Sequence, residues 1–217
     1  MRRKTIFTNQ QIYHVYNRGV AKQQIFDDYN NYKHFLLTLA FYLERHPKTK
    51  LSEARKDYLK NIFNEPCKEP LVEILAYCLM PNHFHLILKQ IKENGIVTFL
   101  GHCCNSYTRY FNTINERVGP IFQGRFKAVM VENDAQLFHL SRYIHLNPFV
   151  AKITKKPKDY QWSSIAYYLN DESSRICKPN DILQHFDKSE KYSDFINDFS
   201  DYLLSLEEFN ALSLEQI

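Results

Sequence analysis

The run "LVEILAYCLMPNHFHLILKQI", Leu71 to Ile91, constrains the fold of this 217-residue chain more than any other segment. Two stretches of strand-forming residues flank Pro81 and Asn82, a pair that favours turning the chain. The pattern predicts a hairpin or a sharply bent ribbon. In a strand, residues at i and i+2 share a face, so Phe84, Leu86 and Leu88 point one way while His83 and His85 point the other.

The rest of the chain arranges itself around that ribbon. "QQIYHVYNRG" alternates, is rich in β-formers and stops at Gly19, which reads as a first strand. From Tyr29 to about Glu44, Tyr32, Phe35, Leu36, Leu39 and Leu43 recur at helical spacing and predict an amphipathic helix ending before Pro47. Lys50 to Pro70 reads as an excursion with a short helix. "IVTFLGHCCNSYTRYFNTINERV" predicts a long helix, and "IFQGRFKAVMVE" a further strand. "NDAQLFHLSRYIHLN" predicts a helix capped by Asn133 or Asp134 and ended by Pro148. The order β, α, β, β, α, β, α matches an α+β fold, a ferredoxin-like split βαβ sandwich, with one further helix and a C-terminal extension.

Composition bounds the function. With 44% hydrophobic residues the chain can bury a sizeable core. No apolar stretch approaches the roughly 20 residues needed to span a bilayer, and "MRRKTIFTNQ" lacks the apolar core of a secretory signal, so a cytoplasmic protein with no membrane partner is expected. Five cysteines without a CxxC spacing predict reduced thiols. From Asp181 onward nine acidic residues face two lysines, a balance of −7; the overall +4 therefore leaves +11 on residues 1–180. A basic body of this kind favours a polyanion through phosphate neutralisation.

Two imidazoles side by side on one strand face supply part of a metal site. The same spacing also suits two hydrogen-bonded histidines at a sheet rim, so a third ligand is required. In "SRYIHLNPFV", Tyr143 and Asn147 stand at i and i+4 on one helix face. An amide oxygen suits a hard cation such as Mg²⁺ or Mn²⁺, and two histidines with one asparagine lean toward an exchangeable ion rather than structural zinc. A core tyrosine is the alternative reading of Tyr143. Tyr107 and Tyr110 are rival nucleophiles that lack an amide at i+4, and His145 points away from Tyr143 as a structural residue.

"PNHFHLI" resembles the histidine-hydrophobic-histidine signature of HUH endonucleases, and "RYIHLNP" resembles the tyrosine segment of single-tyrosine transposases, specifically the REP-associated tyrosine transposases. "YHVYNRG", "GPIFQGRFKAVMV" and "DYQWSSIAYYL" extend the resemblance in matching order from about Tyr13 to Leu169. It implies that residues 1–152, with an excursion at about 46–70, form the catalytic domain, and that 153–217 form an extension, acidic after 180. It further implies His83, His85 and Asn147 as ligands of Mg²⁺ or Mn²⁺ and Tyr143 as the nucleophile that forms a 5′-phosphotyrosine. Relatives often carry glutamine where Asn147, one methylene shorter, stands.

The implied substrate is single-stranded DNA beside a REP-like hairpin, cut and rejoined by a monomer or homodimer that is nucleoid-associated when bound to DNA. In that setting Arg18, Arg125 and Lys127 are phosphate contacts, and Trp162 is either a base-stacking platform or a core anchor. Two other activities fit the residues: a catalytically silent nucleic-acid-binding regulator, and a metal-dependent hydrolase without a covalent tyrosine.

Overall fold

The computed structural model describes residues 5–45, 49–170, 172–186 and 189–198. The elements in chain order are β1 (Ile12–Arg18), α1 (Tyr29–Tyr42), α2 (Lys56–Asn61), β2 (Val72–Met80), β3 (His83–Gln90), α3 (Gly95–Ile114) and β4 (Lys127–Met130). They are followed by α4 (Asp134–Val150), α5 (Ile165–Leu169), α6 (Asn180–Leu183) and α7 (Ser189–Asn197). The sheet runs β2-β3-β1-β4 with every neighbouring pair antiparallel. β1 and β2 therefore run parallel with β3 between them, and β3 and β4 run parallel with β1 between them, bridged by α1 and α3. This is the split βαβ arrangement expected from the element order.

The alternation in β3 sorts two layers. Phe84 meets Phe35 of α1 at a ring-centroid distance of 5.2 Å, and Phe35 meets Tyr107 of α3 at 5.0 Å. α4 lies over the opposite face, where Tyr143 reaches His85. With helices on both sides, β2 and β3 are buried almost throughout. α1 begins where the Asp28 carboxylate accepts the Asn31 N–H at 2.7 Å, and it buries Tyr32, Phe35 and Leu39 as its periodicity predicts. Gly19, at the end of β1, is required by close approach: a Cβ there would lie 2.3 Å from the Gln23 carbonyl oxygen. Its N–H donates to the Asn82 carbonyl at 2.8 Å, which pins the β2-β3 turn against β1.

Two expectations are corrected. β4 is much shorter than the segment "IFQGRFKAVMVE". Gly124 adopts φ +141°, outside strand geometry, and Phe122 makes only an isolated bridge to Gly19. Pro148 does not end α4, which continues to Val150. Proline lacks one amide donor and so forfeits one helical bond. Ala151 N–H still reaches the Asn147 carbonyl at 3.0 Å and Ile153 N–H the Pro148 carbonyl at 2.9 Å, which closes the last turn around a buried ring. The start of α4 is as predicted. Asn133 Oδ1 accepts the Gln136 N–H at 2.9 Å, while Gln136 Oε1 accepts the Glu132 N–H at 2.8 Å.

The described part of the C-terminal extension runs along the outer edge of β2. Leu79 N–H donates to the Trp162 carbonyl, Ser164 N–H to the Tyr77 carbonyl and Lys178 N–H to the Ile74 carbonyl, at 2.9, 2.9 and 2.8 Å. Tyr168 Oη donates to the Leu75 carbonyl at 2.8 Å. Tyr160, Tyr168, Ile176 and Tyr192 join the same core as the sheet. Residues 199–217, which hold much of the acidic stretch, lie outside the described residues. Among the described residues no helix is long and apolar enough to cross a membrane.

His145 fastens α4 to this extension. Its Nδ1 lies 2.7 Å from Tyr192 Oη and its Nε2 2.7 Å from Ser164 Oγ, and burial pushes its pKa down to about 3. The unfolded chain takes up a proton near the ordinary value of 6.5. Below that pH the unfolded state binds more protons than the folded one, so His145 lowers stability progressively as pH falls from 6.5 toward 3. Replacing it, as in His145→Leu, is expected to cost about 1–3 kcal/mol at neutral pH through orphaned hydroxyls. The same variant should flatten the loss of stability between pH 6.5 and 4, as measured by urea unfolding across that range.

Candidate metal centre and nucleophile

Three histidines meet on the α4 face of the sheet. In register, Arg18 of β1 faces His83 and Tyr16 faces His85. The His83 and His85 rings stand 4.9 Å apart and nearly perpendicular. His83 Nδ1 lies 2.6 Å from Asn82 Oδ1, and a carboxamide oxygen only accepts, so Nδ1 carries the proton and Nε2 keeps its lone pair. His85 is fully buried. Its Nδ1 lies 2.9 Å from Nε2 of buried His14, and its own Nε2 is enclosed without a hydrogen-bond partner among the described residues.

An unsatisfied buried nitrogen costs stability unless something takes its lone pair. Burial also keeps these rings neutral, the form that binds metal. It pushes His83 down to about 4, helped by the Arg18 charge, and His14 down to about 3. His85 is held well below the ordinary range by burial, then by His83 and His14.

Tyr143 enters from α4, with its ring 5.5 Å from that of His85 and nearly perpendicular to it. Asn147 follows one turn later and is half-buried, and its side-chain amide makes no hydrogen bond among the described residues. The structure thus brings His83, His85 and Tyr143 together. Two imidazole nitrogens supply part of a donor set for a divalent ion, and Asn147, one turn beyond Tyr143 on α4, carries the amide oxygen that would complete it for Mg²⁺ or Mn²⁺.

The candidate DNA contacts divide between the two faces. Arg18 stands beside His83, and its buried Nε has no hydrogen-bond partner among the described residues. Exposed Lys127 pairs across β4 with Tyr16 and shares the histidine face. Arg125 instead lines a cleft of about 510 Å³ with Asn17, Cys104 and Phe126 on the α3 side. Trp162 sits at the outer edge of β2, stacked on Tyr32 at 4.6 Å and edge-on to Tyr29 at 5.2 Å.

The rival tyrosines are both committed elsewhere. Tyr107 is fully buried on the α3 face and donates to the Ile25 carbonyl, and Tyr110 stacks on His34 at 3.6 Å. Sequence reasoning missed His14. Its available signal was strand alternation, which sets His14, Tyr16 and Arg18 on one face of β1.

With this geometry in hand, comparison with known proteins identifies the class. The profile of the family described as "Transposase IS200 like" matches residues 8–147, well over half of the chain, and the protein belongs to that family. A Haemophilus influenzae protein assigned to the REP-associated tyrosine transposases is 26% identical over 52% of this chain and 74% of its own length. The solved structure of a REP-associated tyrosine transposase bound to a REP hairpin superposes with a TM-score of 0.57 at 14% identity, covering 82% of this chain and 91% of that one. That superposition bears out the fold. A Deinococcus radiodurans protein described as a transposase aligns at 15% identity over 66% of this chain and 95% of its own, with a TM-score of 0.36 that carries no argument.

Because Tyr107 is built into the core, Tyr107→Phe is expected to lower stability by about 1–2 kcal/mol in denaturant unfolding, leaving the Ile25 carbonyl unpaired.

Proposed function

We propose that this protein is a metal-dependent single-stranded DNA endonuclease and strand transferase that acts beside DNA hairpins through a covalent 5′-phosphotyrosine on Tyr143. The observation that carries this reading is the contact of Tyr143 with His85, whose buried Nε2 has no hydrogen-bond partner among the described residues. Membership of a transposase family and the fold shared with a transposase bound to a REP hairpin support it.

A divalent ion held by His83, His85 and Asn147 would polarise the scissile phosphate and offset its charge. Arg18 and Lys127, on the same face, orient the phosphate backbone, and the Arg18 guanidinium offers donors toward phosphate oxygens. Tyr143 Oη forms a bond to phosphorus as the bond to the 3′ oxygen breaks in line. The phenolic proton leaves to solvent, and the departing oxygen takes one up as a 3′-hydroxyl. A free phenol, with a reference pKa near 10, is a poor nucleophile at neutral pH, and a divalent ion held beside it would favour phenolate. The phosphotyrosyl bond retains the phosphodiester energy, and attack by another 3′-hydroxyl reverses the step and joins strands without ATP. Arg125, on the opposite face, would meet the DNA away from the scissile bond, and half-buried Trp162, stacked on Tyr32, would meet a base beside it.

The test is incubation with hairpin-bearing single-stranded DNA and Mn²⁺, followed by denaturing electrophoresis. Wild type is expected to form a denaturation-resistant protein-DNA adduct, Tyr143→Phe none, and His83→Ala or His85→Ala at least about 100-fold less cleavage. Equal adduct from Tyr143→Phe would remove Tyr143 as nucleophile. Cleavage without adduct would point to a hydrolase, and tight binding without cleavage to a regulator.

A further inference from the structure

Among the histidines on this face, His14 is buried, lies outside the proposed ligand set, and touches that set through one bond. It is diagonal to His85 across the β1-β3 pair, since His14 faces Ile87 and Tyr16 faces His85. Diagonal neighbours on one sheet face are within reach for long side chains. Here the two rings are 5.2 Å apart at 20°, and His14 Nε2 meets His85 Nδ1 at 2.9 Å.

One proton lies between those two nitrogens, and it can belong to either ring. If His14 Nε2 holds it, His85 accepts at Nδ1 and must carry its own proton on Nε2, as a buried N–H with no acceptor among the described residues. If His85 Nδ1 holds it, Nε2 presents a bare lone pair away from His14, in the same cluster of rings as His83 and Tyr143. Only the second arrangement can bind a cation. It requires His14 to accept at Nε2 and so to carry its own proton on Nδ1.

We infer that His14 is a positioning residue for the metal centre: it accepts the His85 Nδ1 proton and so fixes the tautomer and ring orientation that turn His85 Nε2 toward the ion. The inference rests on the metal-site reading given above. A ligating histidine held through its second nitrogen is also more basic at the first, and loss of such a partner typically weakens metal binding about 10–100-fold. The bond works from β1 onto β3, so the strand that carries Arg18 also sets the state of a proposed ligand.

Two measurements test it. The first is Mn²⁺ binding followed by electron paramagnetic resonance in wild type, His14→Phe and His14→Gln. Phenylalanine fills the space without accepting, and the glutamine amide oxygen can accept near the position of Nε2. His14→Phe is expected to bind Mn²⁺ about 10–100-fold more weakly, and His14→Gln close to wild type. A role in packing alone would lower the melting temperature and leave Mn²⁺ affinity unchanged.

The second is the ¹⁵N chemical-shift pattern of His85 in metal-free wild type, which needs no variant to fold. A proton on Nδ1 is expected, and a proton on Nε2 overturns the inference. Wild type that takes up no Mn²⁺ overturns the metal reading and this inference together. Uptake abolished by His85→Ala but untouched by His14→Phe overturns this inference alone.

Discussion

The antiparallel pairing of β1 with β3 is the interaction on which the rest depends. Its register sets Arg18 opposite His83 and Tyr16 opposite His85, and it leaves His14 diagonal to His85. On the other face the same register places Asn17 opposite Phe84 and Val15 opposite Leu86, in the layer beneath α1 and α3. A slip of one residue would send Phe84 to the polar face and both histidines into the aromatic core. Hydrophobic burial on one side therefore specifies, with no added interaction, the arrangement of imidazoles on the other.

The second requirement is that α4 be held over that polar face. Its own periodicity does little toward this, because the helix is buried on several sides, at Leu137, Ser141, Ile144, His145 and Pro148. The attachment is chemical and local. His145 bonds Ser164 and Tyr192 at once, Tyr192 Oη also donates to Ser141 Oγ at 3.2 Å, and Ser164 Oγ in turn accepts the Tyr77 N–H of β2 at 2.9 Å. The tyrosine-bearing helix is thus tied to the sheet through residues of the C-terminal extension. Satisfied buried polar networks of this kind fix one geometry, since any displacement leaves several groups unpaired together.

Much of this was legible in the sequence, and the reasons differ by residue. The hairpin around Pro81 and Asn82 and the common face of His83 and His85 follow from alternation, a local property. So does the cap at Asn133. The role of His14 was not legible, because nothing local states which residue of β1 lies diagonal to His85. Pro148 misled because a proline's local preference is to stop a helix, whereas here one lost bond is tolerated inside a buried, otherwise complete final turn. β4 came out short because Gly124 breaks a run whose composition otherwise suits a strand. The approach of Tyr143 to His85 joins elements far apart in sequence, and spacing alone left it open.

The stitching of the extension to β2 also has a consequence for how the chain is made. The Tyr77 N–H finds its partner in Ser164, 87 positions later. At the usual translation rate of about 5–20 residues per second, roughly 4–17 seconds pass between their synthesis on the ribosome. Throughout that interval the hairpin can form, while the outer edge of β2 presents unpaired amides and carbonyls beside apolar side chains. An open edge of this kind invites pairing with other nascent chains. The newborn polypeptide thus passes through a window in which this edge of the sheet lies open, and that window closes only once the residues from Trp162 to Lys178 have emerged to cover it.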